Sequence, residues 1–199
     1  MKISTNPHLN IGPVTKLEIP FLHAFSPNAF NVEFSMELLS WFEKSAPWSL
    51  IETDFYEQYE FSFYDINLPL NLISLVDSEY LNQIRKFMEN IFSIALDDKI
   101  DCTAHKLTPG QRIRIHNDFI PGKESHRLLI QLNRGWIDEN GGMLMLFNSA
   151  DPNDLGKIYR PIHNSLFAFE ISAKSNHAVS TIKGGERYTL VYSFYSNRK

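Results

Sequence analysis

Arg112-Ile113-Arg114-Ile115-His116-Asn117-Asp118-Phe119, with Pro109-Gly110 just ahead of it, reads as a strand that follows a tight turn. In an extended strand alternate side chains share a face, so His116 and Asp118 offer an imidazole and a carboxylate to one point in space. Those are two thirds of a facial metal site. If His177 supplies the third ligand, the set is the two-histidine, one-carboxylate triad that holds non-haem Fe(II) and leaves other positions open.

Outward from this stretch, the second half of the chain keeps a period near two. Candidate strands are Cys102 to Leu107, Arg127 to Leu132, Met143 to Asn148, Leu166 to Ile171, His177 to Ile182 and Arg187 to Tyr195, with turn chemistry at Asn140-Gly141-Gly142 and Gly184-Gly185. Many short strands without interleaved helices indicate an antiparallel sandwich or barrel. The first half differs. Phe34, Leu38, Trp41 and Phe42 recur at helical spacing within Phe30 to Lys44, and Pro47 ends that helix. Leu81, Ile84, Met88, Ile91 and Phe92 mark a second helix from Ser78 to about Leu96, capped by Asp77 or Ser78. Between them Leu50 to Phe63 is aromatic and acidic (Phe55, Tyr56, Tyr59, Phe61, Phe63), and its alternation around Phe61 fits a strand. Met1 to Pro20, broken by Pro7, Gly12 and Pro13, reads as an irregular arm or edge strand. The expected fold is mainly β with N-terminal helices. One domain, 1–199, is expected, with 1–101 packing on core strands within 102–199.

A length of 199 residues suits one sizeable core, and 43% hydrophobic with 21% charged residues is a globular composition. A net charge of −4 offers no basic field for phosphate backbones, which argues against nucleic acid as partner. Apolar runs such as Leu128 to Leu132 are too short to span a membrane. The lone Cys102, with no basic-then-apolar leader ahead of the chain, points to a reducing, cytoplasmic compartment.

A histidine, any residue and an aspartate make a weak motif alone. The context adds weight: His177 opens a later strand, and ten residues on Arg187 opens the last one. Arg187 and Thr189 share a face within an otherwise apolar strand, and a buried guanidinium needs a partner, which a dicarboxylate ligand would satisfy in bidentate geometry. The bland alternative is a structural ion pair of Arg187 with Glu170 or Asp118, which would leave His116, Asp118 and His177 unexplained.

The order His116-Asn117-Asp118, Leu128-Leu129-Ile130-Gln131-Leu132-Asn133, Gly141-Gly142-Met143-Leu144, Ser175-Asn176-His177-Ala178-Val179 and Arg187-Tyr188-Thr189-Leu190 resembles the Fe(II)/2-oxoglutarate dioxygenases, in their prolyl-4-hydroxylase-like branch, over roughly residues 102 to 195. The resemblance implies a double-stranded β-helix, a jelly-roll or cupin-like barrel with supporting helices, as a cytoplasmic monomer or homodimer. It implies Fe(II), 2-oxoglutarate and O2 as cofactors, with His116, Asp118 and His177 as iron ligands. Arg187 would take the distal carboxylate of 2-oxoglutarate, with Thr189 adding a hydroxyl. Where many members carry a tyrosine, this chain has Gln131, which by the resemblance would donate to the same 2-oxoglutarate carboxylate with a different reach, and another segment usually holding a tyrosine reads His105-Lys106-Leu107-Thr108. Retention of Asp118 implies hydroxylation rather than halogenation.

Members of that branch mostly modify side chains within peptides and proteins. A subset of small bacterial members, acting on ribosomally made, cyclophane-containing peptides, resembles this chain in its aromatic N-terminal half too. The expected activity is therefore hydroxylation of an unactivated C–H bond of an amino-acid side chain within a peptide. The alternatives are a free amino acid hydroxylase and a non-catalytic metal-bearing barrel that binds a small ligand or partner. Arg114, on the strand face of His116, and Arg127, on that of Gln131, are candidates for substrate contact and would suit an acidic peptide. Ser149 to Tyr159 reads as a lid or a surface connection, and His105, His126 and His163 as structural or exposed.

Overall fold

The computed structural model describes residues 8–54 and 56–196, so Pro7 and Phe55 lie outside the described residues. Helix α1, Val32–Lys44, starts where Asn31 accepts the Phe34 amide at 2.8 Å, and buries Phe34, Leu38, Leu39 and Phe42. Helix α2, Ser78–Phe92, starts at Asp77, whose carboxylate accepts the Tyr80 amide at 2.8 Å. It ends short of the expected Leu96 because Ser93 adopts a left-handed φ of 55°. The apolar rhythm runs on past the helix; beyond its end Leu96 donates its amide to Glu89 and accepts from Arg85.

The strands are β1 (Thr15–Leu17), β2 (His23–Ser26), β3 (Ser49–Glu52), β4 (Glu57–Ser62), β5 (Ile100–Leu107), β6 (Ile113–His116), β7 (His126–Gln131), β8 (Leu144–Phe147), β9 (Leu155–Tyr159), β10 (Leu166–Glu170), β11 (His177–Val179) and β12 (Arg187–Phe194). They form an eight-stranded sheet, β1-β2-β10-β7-β12-β5-β4-β3, and a four-stranded sheet, β6-β11-β8-β9, antiparallel throughout. The N-terminal half thus contributes strands at both ends of the large sheet. The hydrogen bonding does not close the two sheets into one barrel, although an isolated bridge between Tyr56 and Ile113 ties the β4 side to β6. Half of the expected Ser149 to Tyr159 loop is the edge strand β9, which pairs with β8 through Leu144 and Tyr159.

Alternation on β12 explains why that strand is buried from end to end. Tyr188, Leu190, Tyr192 and Phe194 pack into the core under the helices, with Leu128 and Ile130 of β7 and Phe34, Leu38, Ile84 and Met88 of the helices. Val191 faces the other way, with Leu129, Phe167 and Phe169, against Leu144 and Leu146 of the small sheet. The polar residues interleaved on that second face, Arg187, Thr189 and Ser193, line a cavity of about 460 Å³ between the sheets.

Candidate active site

β6 and β11 lie side by side with His116 directly opposite His177. Two residues further along β11, Val179 faces Ile113, which is three residues back on β6; one extra residue is bulged out of β6. The bulge breaks the alternation expected from the sequence. Ile113 joins His116 on the cavity wall, whereas Arg114 is exposed, donates to the Asp54 carbonyl at 3.1 Å, and lines a separate cleft with Arg112, Glu52 and Glu57.

Asp118 reaches His116 by a different route from the expected one. The strand stops at His116, and Asp118 takes a φ of 59°, a conformation that aspartate tolerates better than most residues. Asn117 sets this turn: its side chain accepts the Phe119 amide at 3.0 Å, and its carbonyl accepts the Ser175 hydroxyl at 2.9 Å, just ahead of His177. The result places Asp118 Oδ1 3.3 Å from His116 Nε2 and Oδ2 3.3 Å from His177 Nε2. One ligand atom from each residue lies within 4.8 Å of the other two.

The tautomers suit a metal. His116 Nδ1 lies 2.8 Å from the Arg114 carbonyl and His177 Nδ1 lies 2.8 Å from the Ser175 carbonyl. A carbonyl only accepts, so each Nδ1 carries the proton and each Nε2 turns its lone pair toward Asp118. Burial lowers the pKa of His177 and so favours the neutral, ligating form. Burial works against ionisation of Asp118, but the Arg127 guanidinium beside it favours the anion, and the carboxyl lies well below the usual carboxylate range. Two imidazoles and a carboxylate on one side of a cavity are a donor set that fits Fe(II).

Arg127 is engaged behind the metal cluster. Its Nη1 donates to Asp118 Oδ2 at 2.7 Å and its Nη2 to the Glu124 carboxylate, so it aims and charges the carboxylate. Arg127→Leu is expected to weaken metal binding about 10–100-fold, the range for loss of a group that orients a ligand, as measured by equilibrium titration of the apoprotein. An unchanged affinity would remove Arg127 from the site.

Arg187 is 4% exposed and donates from Nη1 to Thr189 Oγ1 at 3.0 Å, while its Nε has no hydrogen-bond partner. Neither Glu170 nor Asp118 pairs with it, and among the described residues no carboxylate does. Burial alone pushes its pKa down to about 10. A buried cation without a counter-charge, in the cavity that also holds the cluster, fits an anionic ligand such as the distal carboxylate of 2-oxoglutarate. The Thr189 hydroxyl donates in turn to Gln131 Oε1 at 3.1 Å. Gln131 is buried behind Thr189 and does not line the cavity, so it reaches a ligand only through that hydroxyl.

Gly142 explains the Gly-Gly turn. Its φ is +66°, and a Cβ there would sit 2.7 Å from Ile182, 2.9 Å from Trp136 and 3.1 Å from Cδ of Arg187. Gly142→Ala is expected to lower stability by ~1–3 kcal/mol through backbone strain and to shift Arg187. Thermal melting and the KM for 2-oxoglutarate should worsen together.

Sequence reasoning missed the third wall of the cavity. Gln58, Glu60 and Ser62 on β4 and Asp101, Thr103 and His105 on β5 all line it. The signal was present as alternation, because Tyr59, Phe61, Cys102 and Ala104 are the residues between them; what was absent was the knowledge that both faces of these strands are covered. His105, read as structural or exposed, is partly buried here, and desolvation drives its pKa down to about 3, which keeps it neutral.

A family model described as the 2OG-Fe(II) oxygenase superfamily matches residues 102–195. Prolyl 3-hydroxylase OGFOD1 of Mus musculus is 26% identical over 184 residues, covering 87% of this chain and 32% of the mouse protein, so the chain spans about a third of that relative's length. A prolyl-4-hydroxylase of Pseudomonas putida superposes with a TM-score of 0.66 at 17% identity, covering 83% of this chain and 86% of that one. A Trichoplax adhaerens prolyl hydroxylase, solved in complex with a hypoxia inducible factor peptide fragment, gives 0.66 at 12% identity over 87% and 83% of the two chains. At such identities these structures establish the shared fold. The family match falls on the strands that carry His116, Asp118, His177 and Arg187, so residues 102–195 are similar to the 2OG-Fe(II) oxygenase superfamily, and the chain has the prolyl-4-hydroxylase-like fold.

Proposed function

We propose that this chain hydroxylates a C–H bond of an amino-acid side chain within a peptide, using His116, Asp118 and His177 to hold Fe(II) and Arg187 to anchor 2-oxoglutarate. The observation that carries the reading is the orphaned guanidinium of Arg187 in the same cavity as the three ligands. Bound Fe(II) and 2-oxoglutarate supply the oxidising chemistry, in which one atom of O2 goes into succinate as CO2 is lost and the other into the substrate C–H bond as a hydroxyl. The protein contributes position and dryness. His116 and His177 keep Nε2 available through their Nδ1 contacts, Arg127 keeps Asp118 anionic and aimed, and Leu129, Leu144, Phe169 and Val191 exclude water from the reacting side.

A peptide substrate is favoured by the mouth of the site. His116, Asp118 and Arg127 also border an outer cleft of about 500 Å³, whose rim carries the exposed apolar side chains Phe119 and Ile120. The Trichoplax adhaerens neighbour was solved with a peptide fragment, and the mouse relative is named a prolyl 3-hydroxylase. No helix among the described residues is long and apolar enough to cross a membrane, and the single cysteine, buried Cys102, favours a reducing, cytoplasmic setting. Succinate release and mass spectrometry across matched peptides and free amino acids test the proposal. Added oxygen on peptides is the expected result; oxygen added only to free amino acids, or succinate unresponsive to either, contradicts it.

A further inference from the structure

The cavity contains more acid than the cofactor site uses. Arg127 is taken up by Asp118 and Glu124. Asp101 lies 3.5 Å from Lys99 and accepts from the Tyr195 hydroxyl. Arg187 is the cation for the 2-oxo acid. That leaves Glu60, whose nearest basic group is His105 at 4.0 Å, an imidazole that desolvation keeps neutral.

Beside Glu60 lies a second, independent feature. Gln58 is 3% exposed and donates from Nε2 to Glu60 Oε2 at 2.8 Å. A carboxylate only accepts, so this contact fixes the amide's orientation and leaves Oε1 as the free end. Gln58 Oε1 is fully buried and has no hydrogen-bond partner among the described residues. A buried acceptor left unsatisfied costs free energy, and the residue that carries it lines the cavity next to the Glu60 carboxylate. Both groups accept hydrogen bonds, and the carboxylate adds the negative charge that favours a cationic donor. Strand register places them: Glu60 is opposite His105 and His105 opposite Thr189, so Glu60 stands two strands, ~10 Å, across the sheet from Thr189 and clear of the 2-oxoglutarate position.

Resting on the dioxygenase reading, we propose that Glu60 and Gln58 form a subsite for a cationic side chain of the substrate peptide, an ammonium or guanidinium that pairs with Glu60 and donates to Gln58 Oε1. This reverses the acidic-peptide expectation, because Arg127 is occupied and Arg114 lines a different cleft. The subsite is specificity-determining and takes no part in holding iron or 2-oxoglutarate.

The test is calorimetric titration of the protein loaded anaerobically with Fe(II) and 2-oxoglutarate. The probes are the methylamides of Nα-acetyl-arginine and Nα-acetyl-lysine, and of their neutral counterparts Nα-acetyl-citrulline and Nα-acetyl-norleucine. The cationic probes are expected to bind on the order of tenfold more tightly, the scale of one charge-assisted contact. Glu60→Gln is expected to erase that preference and Gln58→Leu to reduce it, with the Fe(II)–2-oxoglutarate absorption unchanged in both. Equal affinity for cationic and neutral probes, no measurable heat with the cationic ones, or a preference that survives Glu60→Gln overturns the subsite. Loss of the absorption band in the unsubstituted protein counts instead against the cofactor reading, and the probe preference still decides the subsite.

Discussion

His177→Ala is expected to abolish stoichiometric Fe(II) binding, a larger loss than the about 10–100-fold expected for a residue that only orients a ligand. His177 is buried, its Nδ1 is fixed by the Ser175 carbonyl, and its Nε2 faces Asp118 Oδ2 at 3.3 Å. Alanine removes a donor that no other described side chain can replace, since His105 belongs to the opposite sheet. The variant also leaves the Ser175 carbonyl without that partner, so melting should accompany the metal measurement. Asp118→Asn provides a second route to the same result: it keeps the size of the side chain, removes its charge and breaks the attraction to Arg127. Equilibrium dialysis against Fe(II) should show about one bound ion per chain for the unsubstituted protein and none for either variant, as three protein ligands are the minimum of the facial triad. Retention of iron by both variants, with folding intact, would remove the cluster from the mechanism.

Arg187→Met should raise the KM for 2-oxoglutarate by about 10–100-fold, the equivalent of one hydrogen-bonded charge contact, while affecting kcat at saturation far less. Methionine keeps most of the length and apolar contact of the side chain but has no charge. The same variant discriminates between ligand anchor and structural ion pair. Burial lowers the guanidinium pKa to about 10, which means that the folded, ligand-free protein disfavours the charged form. Sign follows from that direction: a base whose folded pKa lies below its unfolded value costs stability at neutral pH, and the cost declines as pH rises through the folded pKa. Arg187→Met should therefore melt at or above the temperature of the parent in the absence of 2-oxoglutarate, and lose the extra stability that 2-oxoglutarate confers. A lower melting point without ligand would mean that the arginine serves the fold.

The parts of the fold set by local periodicity were legible. The strands from β5 to β12 except β9 lie within a few residues of their expected limits, α1 begins near its expected start, and Asp77 caps α2 as its side chain and position imply. What could not be read is what depends on pairing across the fold. The bulge in β6 is a mismatch between two strands more than sixty residues apart in sequence, and it moves Arg114 away from the face of His116. A one-residue shift inverts a strand's faces, so alternation extrapolated through an unseen bulge misplaces every side chain beyond it. The left-handed φ at Asp118 is likewise imposed by Asn117 and Ser175, the latter from a distant loop. Arg127 carried no mark in the sequence that distinguished an arginine for substrate from one held by Asp118 and Glu124. The wall of β4 and β5 became a wall only when the small sheet was laid over it. That Arg187 and Thr189 share one buried face was legible, because alternation along β12 gives its apolar residues the other face.

An anaerobic spectral titration of the metal-free protein, first with Fe(II) and then with 2-oxoglutarate, tests the site most directly. A visible charge-transfer band is expected that appears only after the second addition, saturates with the protein, and is absent from His116→Ala. No band in the parent protein, or an unchanged band in His116→Ala, would contradict the proposed iron site.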